Sequence, residues 1–205
     1  MAGAVPPAVT WLVRHAQSTS NAGLPATGAG NTALTDLGRQ QAEELAGRVE
    51  RQPDLLIVSE FVRSRATARP IQARWPRARC ETWPIHELTY LSPARCIGTT
   101  RETRRPWVDA YWRDCDPDYL DGPDAESFRS FVARLGDFHH RLSALEGELV
   151  IAVGHGQFFS GYLMGLGQGF EATPDWMRDY RQAETARPMA NCEVIGLARD
   201  ALRRR

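Results

Sequence analysis

Val9–Asn21 reads V-T-W-L-V-R-H-A-Q-S-T-S-N. Its first five residues form an apolar run of strand length, and a polar cluster begins at Arg14 with no spacer between them. Toward the other end, Glu148–Val153 (E-L-V-I-A-V) is a second buried-strand run that stops at Gly154-His155-Gly156. Leu55–Val58 is a third such run, and Cys80–Ile85 and Cys192–Ala198 read as further strands. Helical segments lie between them. Thr35 is placed to cap a helix whose apolar face is Leu37, Leu45, Ala46 and Val49. Residues 62–75 look helical, with Pro70 expected to kink or interrupt them. The strongest helical period joins Phe128, Phe131, Val132, Leu135, Phe138, Leu142 and Leu145 in steps of three and four. Strands alternating with helices predict an α/β layered fold with a mostly parallel sheet. Such sheets bind ligands outside the carboxyl ends of their strands. Arg14-His15 and His155 both follow strands, so this topology can bring them to one rim.

At 205 residues the chain fits one compact domain, residues 1–205. Residues 88–125, rich in Pro, Gly, Arg, Trp and Tyr without clean periodicity, read as a lid or insertion within it. Formal net charge is zero, so no global field favours nucleic acid or an anionic membrane. Every basic residue is Arg, a bias of composition that leaves individual guanidinium forks available for phosphate. Cysteines at 80, 96, 115 and 192 form no C-x-x-C pair, which argues for free thiols over a zinc finger or a disulfide framework. The opening MAGAVPPAVT has no basic segment leading into a long apolar one, and no run approaches the roughly 20 residues of a membrane span. A cytoplasmic protein is expected. The Arg203–Arg205 tail reads as a solvated end.

Arg14, His15, Ser18 and Asn21 together put an imidazole beside a guanidinium at the head of a small-polar loop. An unprotonated imidazole nitrogen is a competent nucleophile toward phosphorus near neutral pH. Phosphoryl transfer asks mainly for positioning and for cationic donors around the equatorial oxygens. Arg14 is the first such donor, and its charge also disfavours protonation of His15.

L-V-R-H-A-Q-S-x-x-N resembles the signature of the histidine phosphatase superfamily, the phosphoglycerate mutase-like group. Leu34-Thr35 with Gly38, Gln41 and Ala42 is similar to that family's L-T-x-x-G-x-x-Q-A stretch. Ser59, Arg63, Thr67 and Ala68 resemble its S-x-x-x-R-x-x-x-T-A segment. Gly154-His155-Gly156 resembles its second histidine motif, and Asn191 sits where the family often has Asn before its last strand. The matches run in the family's order across almost the whole chain.

The resemblance implies a three-layer α/β/α sandwich and a phosphatase that needs neither metal nor organic cofactor. His15 would be the nucleophile that becomes phosphohistidine. Arg14, Asn21 and Arg63 would hold the phosphate oxygens, and His155 would donate to them, with backbone donors at Gly156 or Gln157. Ala16 stands where the family usually has Gly. Without a metal, an alkoxide leaving group needs a general acid, and Glu87 matches the family's proton donor. Its continuation, E-L-T-Y-L-S-P, departs from the usual G-x-W-E-G-like stretch; Glu126 in D-A-E-S-F is the fallback. The expected substrate is a small phosphorylated metabolite, with phosphoproteins among the candidates, and not nucleic acid or membrane. A phosphoglycerate mutase and a non-catalytic binding protein on the same scaffold are the rival readings.

Other conspicuous residues carry plainer expectations. His139 and His140 are adjacent on a helix and lack H-E-x-x-H spacing, against a metal role. His86 reads as a surface histidine. Arg95, Arg101, Arg104 and Arg105, interleaved with Trp107, Tyr111 and Trp112, fit a lid whose ligand is open. Oligomeric state is open too.

Overall fold

The structure, a computed structural model, describes residues 9–25, 27–28, 30–147 and 149–198. The start of the chain up to residue 8, Glu148 and the Arg203–Arg205 tail lie outside the described residues. Among the described residues five strands form one sheet: β1 (Val9–Arg14), β2 (Leu55–Val58), β3 (Arg79–Thr82), β4 (Leu149–Gly154) and β5 (Val194–Ala198). Their order is β3-β2-β4-β1-β5; β5 runs antiparallel to β1 and every other pairing is parallel.

Alternation along the strands explains the layers. Leu12, Leu55 and Ile57 face a core built with α5 (Phe128–Ser143), α6 (Gly156–Gln168) and α7 (Pro174–Ala186). Val13, Leu56 and Val58 face the opposite core, shared with α1 (Asp36–Gly47) and α2 (Val62–Arg74). β4 is buried at all six positions, as a central strand covered on both faces must be. The three-layer α/β/α sandwich follows.

Local expectations hold in part. Thr35 caps α1, its hydroxyl accepting from Gly38 N–H at 3.0 Å. The face that α1 buries is Gly38, Ala42, Leu45 and Ala46; Leu37 is 49% exposed, and Val49 packs from beyond the helix end. α2 runs through Pro70 without the interruption that is one of its two expected effects. Its buried stripe of Ser64, Thr67, Ala68 and Ile71 holds it against the sheet despite the missing N–H. α5 buries the expected Phe128 to Leu142 stripe, with Leu145 just past its end. Residues 88–125 are more regular than expected: they contain α3 (Pro93–Cys96) and α4 (Arg101–Asp114), the latter capped by Thr100. Among the described residues, no helix is long and apolar enough to cross a membrane.

Candidate active site

The register of β1 against β4 makes the site. Arg14 pairs with Gly154, so His15 and His155 leave adjacent parallel strands at the same level. His15 N–H donates to Gly154 O at 2.9 Å, and the two imidazole centroids lie 5.0 Å apart. Two residues 140 positions apart in sequence are neighbours because their strands are central and parallel.

His15 is 1% exposed. Its Nδ1 lies 2.7 Å from Ala16 O, a bond that requires the proton on Nδ1. Its Nε2 therefore carries the lone pair, and Arg63 Nε donates to it at 3.1 Å. Burial first, then the charges of Arg63 and Arg14, push its pKa down to about 3, against a smaller upward pull from the Ala16 carbonyl. His15 is thus a neutral imidazole with a defined tautomer at any ordinary pH.

The loop that carries it is clamped. Ala16 N–H donates to Thr67 Oγ1 (2.9 Å), whose hydroxyl donates to Arg63 O (2.7 Å), tying the His15 loop to the α2 turn that presents Arg63. Gln17 is held by Thr35 and Gln41: Thr35 N–H donates to Gln17 O (3.0 Å), Thr35 Oγ1 to Gln17 Oε1 (2.8 Å), and Gln17 N–H to Gln41 Oε1 (2.9 Å). Gly38 completes the contact, since a Cβ there would stand 2.0 Å from Gln17 O. The residues of the second sequence motif therefore act as supports for the first.

Arg63 is nearly buried and sits 4.8 Å over the Phe61 ring. Burial drives its pKa down to about 10, opposed by Glu87 and assisted by Arg14. Arg14 reaches across to donate from Nη1 to Met189 O. Its Nε is buried with no partner among the described residues. Gly156 makes room for it: a Cβ at 156 would meet Arg14 Cδ and Nε at 3.3 and 3.4 Å. Asn21 is held by its oxygen, which accepts from Ser18 N–H (3.2 Å), Ser18 Oγ (3.0 Å) and Asn191 Nδ2 (3.2 Å). Asn191 also donates to His15 O at 2.9 Å. With its oxygen engaged, Asn21 has only its amide NH2 to offer a ligand.

His155 is fully buried. Its Nε2 lies 2.8 Å from Ser59 Oγ, and its Nδ1 is buried with no hydrogen-bond partner among the described residues, 3.9 Å from Glu87 Oε2. Burial, followed by the charge of Arg63 and then by His15, lowers its pKa well below the usual histidine range. Glu87 lies on the loop after β3 with its side chain 24% exposed. Desolvation raises its pKa, against the lowering charges of Arg63 and Arg14. The Gln157 amide, read from sequence as a phosphate donor, here donates to Glu87 Oε1 at 2.9 Å. The first turn of α6 thus holds a carboxylate, which suits a helix N-terminus.

His15, Glu87 and His155 each offer a ligand-type atom, all within 4.8 Å of one another. Spacing alone gave no hint of this two-histidine, one-carboxylate group, since it is assembled from three separate segments. Arg63 and Arg14, close enough to lower the pKa of His15, make the centre hostile to a cation and receptive to an anion. The other candidates fall elsewhere. Glu126 is tied up in a two-point pair with Arg134 (2.6 and 2.8 Å). His86 is half-buried against Glu60 (2.6 Å) instead of lying on the open surface. His139 Nδ1 meets Tyr162 Oη at 3.2 Å. In the 88–125 segment, Arg95 pairs with Asp121 and covers Trp107, and Arg104 donates to Thr99.

Sequence reasoning assigned no role to Ser59 or Thr67 beyond their motif positions. Both prove to be buried hydroxyls: Ser59 meets the His155 side chain, and Thr67 joins the backbone of Ala16 to that of Arg63. The signal was their placement four residues on either side of Arg63.

Comparison with known proteins agrees with this fold. A putative alpha-ribazole-5'-phosphate phosphatase from Escherichia coli superposes with a TM-score of 0.70 at 22% identity, covering 93% of this chain and 89% of that one. A mycobacterial glucosyl-3-phosphoglycerate phosphatase gives 0.64 at 23% identity, covering 92% and 89%. A phosphoserine phosphatase mutant from Entamoeba histolytica, in complex with phosphoserine, gives 0.69 at 18% identity, covering 92% and 89%. At these identities the likeness is one of fold. No curated protein sequence matches. The model of the histidine phosphatase superfamily (branch 1) matches residues 10–191, which takes in every side chain described above. The chain belongs to the histidine phosphatase superfamily.

Proposed function

We propose that the protein is a metal-independent phosphomonoesterase working through a phosphohistidine on His15. The observation that carries this reading is the convergence of unmet hydrogen-bonding capacity on one point. Arg14 Nε–H and His155 Nδ1, both buried with no partner among the described residues, stand around the same centre as the His15 Nε2 lone pair, which accepts from Arg63 Nε. A phosphoryl group would meet all of them.

In the first step Nε2 of His15 attacks phosphorus in line and the P–O bond to the leaving group breaks. Arg63 transfers its hydrogen bond from Nε2 to a phosphoryl oxygen, and Arg14, His155 and the Asn21 amide take the others. Glu87, in the protonated form that desolvation favours against the opposing charges of Arg63 and Arg14, gives its proton to the leaving oxygen. In the second step the Glu87 carboxylate removes a proton from water, water attacks phosphorus, and the N–P bond breaks to return neutral His15. Residues 88–125, which follow Glu87 directly in the chain, would supply the lid. The substrate class is a small phosphorylated metabolite, the kind of molecule named for the three similar structures.

Purified protein should hydrolyse p-nitrophenyl phosphate and members of a phosphometabolite panel, and His15→Ala should abolish both. Turnover that survives in His15→Ala would overturn the reading. Phosphoryl return to substrate in place of release to water would favour a mutase.

A further inference from the structure

Ser59 follows β2 directly and is fully buried. Its backbone N–H donates to Ser64 Oγ (3.0 Å), and the Ser64 hydroxyl donates to Val153 O (2.6 Å), so it is pinned among β2, α2 and β4. Its own Oγ has two neighbours: Phe61 N–H donates to it at 3.3 Å, and His155 Nε2 lies 2.8 Å away. A serine hydroxyl has one hydrogen to give, and a buried one needs an acceptor.

We propose that Ser59 is a positioning residue whose O–H donates to His155 Nε2, fixing that histidine as the Nδ1–H tautomer with its N–H facing the phosphoryl site. The opposite assignment, with Nε2–H donating to Ser59, carries two penalties. It leaves the serine hydrogen without an acceptor in a fully buried place. It also turns the Nδ1 lone pair toward any bound phosphate oxygen and, whenever that carboxyl is ionised, toward Glu87 Oε2, 3.9 Å away. Both penalties fall on the same tautomer.

His155 needs this device because burial keeps it neutral. A doubly protonated imidazole would donate from either nitrogen; a neutral one donates from the correct side only if its tautomer is set. His15 is set the other way, with Nδ1–H to Ala16 O and the lone pair on Nε2. Of two facing imidazoles, one is thus fixed as nucleophile and the other as donor. The catalytic meaning of the tautomer rests on the phosphatase reading; the tautomer itself does not.

Long-range proton–nitrogen NMR on the full chain, labelled at histidine, reads the tautomer directly. The wild type should show a protonated Nδ1 and a bare Nε2 at His155, and a protonated Nε2 there would overturn the proposal. Ser59→Ala should mix or reverse the tautomer and lower kcat by about 10²-fold, the scale for loss of one aimed donor. Ser59→Thr, which keeps the hydroxyl, should restore both. A folded Ser59→Ala with wild-type tautomer and kcat would also overturn it. A wild type with the expected tautomer but no turnover and no orthovanadate binding would sink the phosphatase reading instead.

Discussion

Replacing Gly38 with alanine tests whether the helix behind the His15 loop fixes its position. The added Cβ would stand 2.0 Å from Gln17 O, so α1 and the loop must separate by about 1.4 Å to reach an ordinary 3.4 Å contact. Backbone lies on both sides, so no flexible side chain can absorb the shift. Overpacking of this kind costs roughly 1–3 kcal/mol. Stretching the Thr35–Gln17 bonds adds about 1 kcal/mol. The sum, roughly 2–4 kcal/mol, corresponds to a Tm lower by about 5–15 °C for a chain of this size. Because Gln17 is two residues from His15, a displacement on the order of 1 Å should also reduce kcat by about 10²-fold. Gly136→Ala is the control. It lies inside α5 with nothing within 4 Å of its added Cβ, so it should leave activity intact and raise stability by up to ~1 kcal/mol. Calorimetry and p-nitrophenyl phosphate turnover check both variants. A Gly38→Ala protein matching the wild type in Tm and kcat would refute the reasoning.

Glu87→Gln should lower kcat by roughly 10²–10⁴-fold. The loss should be larger on an alkyl phosphate than on an aryl one, and an unchanged alkyl rate would remove Glu87 from its role. The unfolded chain takes up protons at His15 and His155 below about pH 6.5, whereas the folded chain resists at both, His15 down to about 3. The unfolded state therefore binds more protons, so stability should fall as pH drops from about 6.5 toward 3. His15→Asn should flatten that slope in thermal melts taken across the range; an equal slope would contradict it. Incubation with EDTA should leave turnover unchanged. Activity lost to EDTA and restored by a divalent ion would reassign the His15–Glu87–His155 group to a metal.

What could be read in the sequence was local. Leu55–Val58 is a strand because four apolar residues must be buried on both faces, and α5 announces itself through its stripe from Phe128 to Leu142. The resemblance placed His15, Arg63, Glu87 and His155, and the structure brings all four together. Elements whose burial is atypical were missed. α6 is a sheet-covering helix without a clean polar face, packed closely through Gly156, Gly161 and Gly165. α4 is obscured by Arg104, Arg105 and Pro106. The bonds that set protonation were not legible, because Ser59–His155 and Gln157–Glu87 join residues 96 and 70 positions apart. Only the register of β1, β2 and β4 brings Ser59 and His155 side by side.

The central claim is the covalent bond between phosphorus and His15 Nε2. Rapid quench of the wild type during turnover, followed by peptide mapping under alkaline conditions, should find a base-stable, acid-labile phosphoryl group on the peptide holding His15. The adduct should build up in Glu87→Gln when an aryl phosphate is the substrate. Steady hydrolysis with no adduct there, or with the phosphoryl group on another residue, would contradict the account.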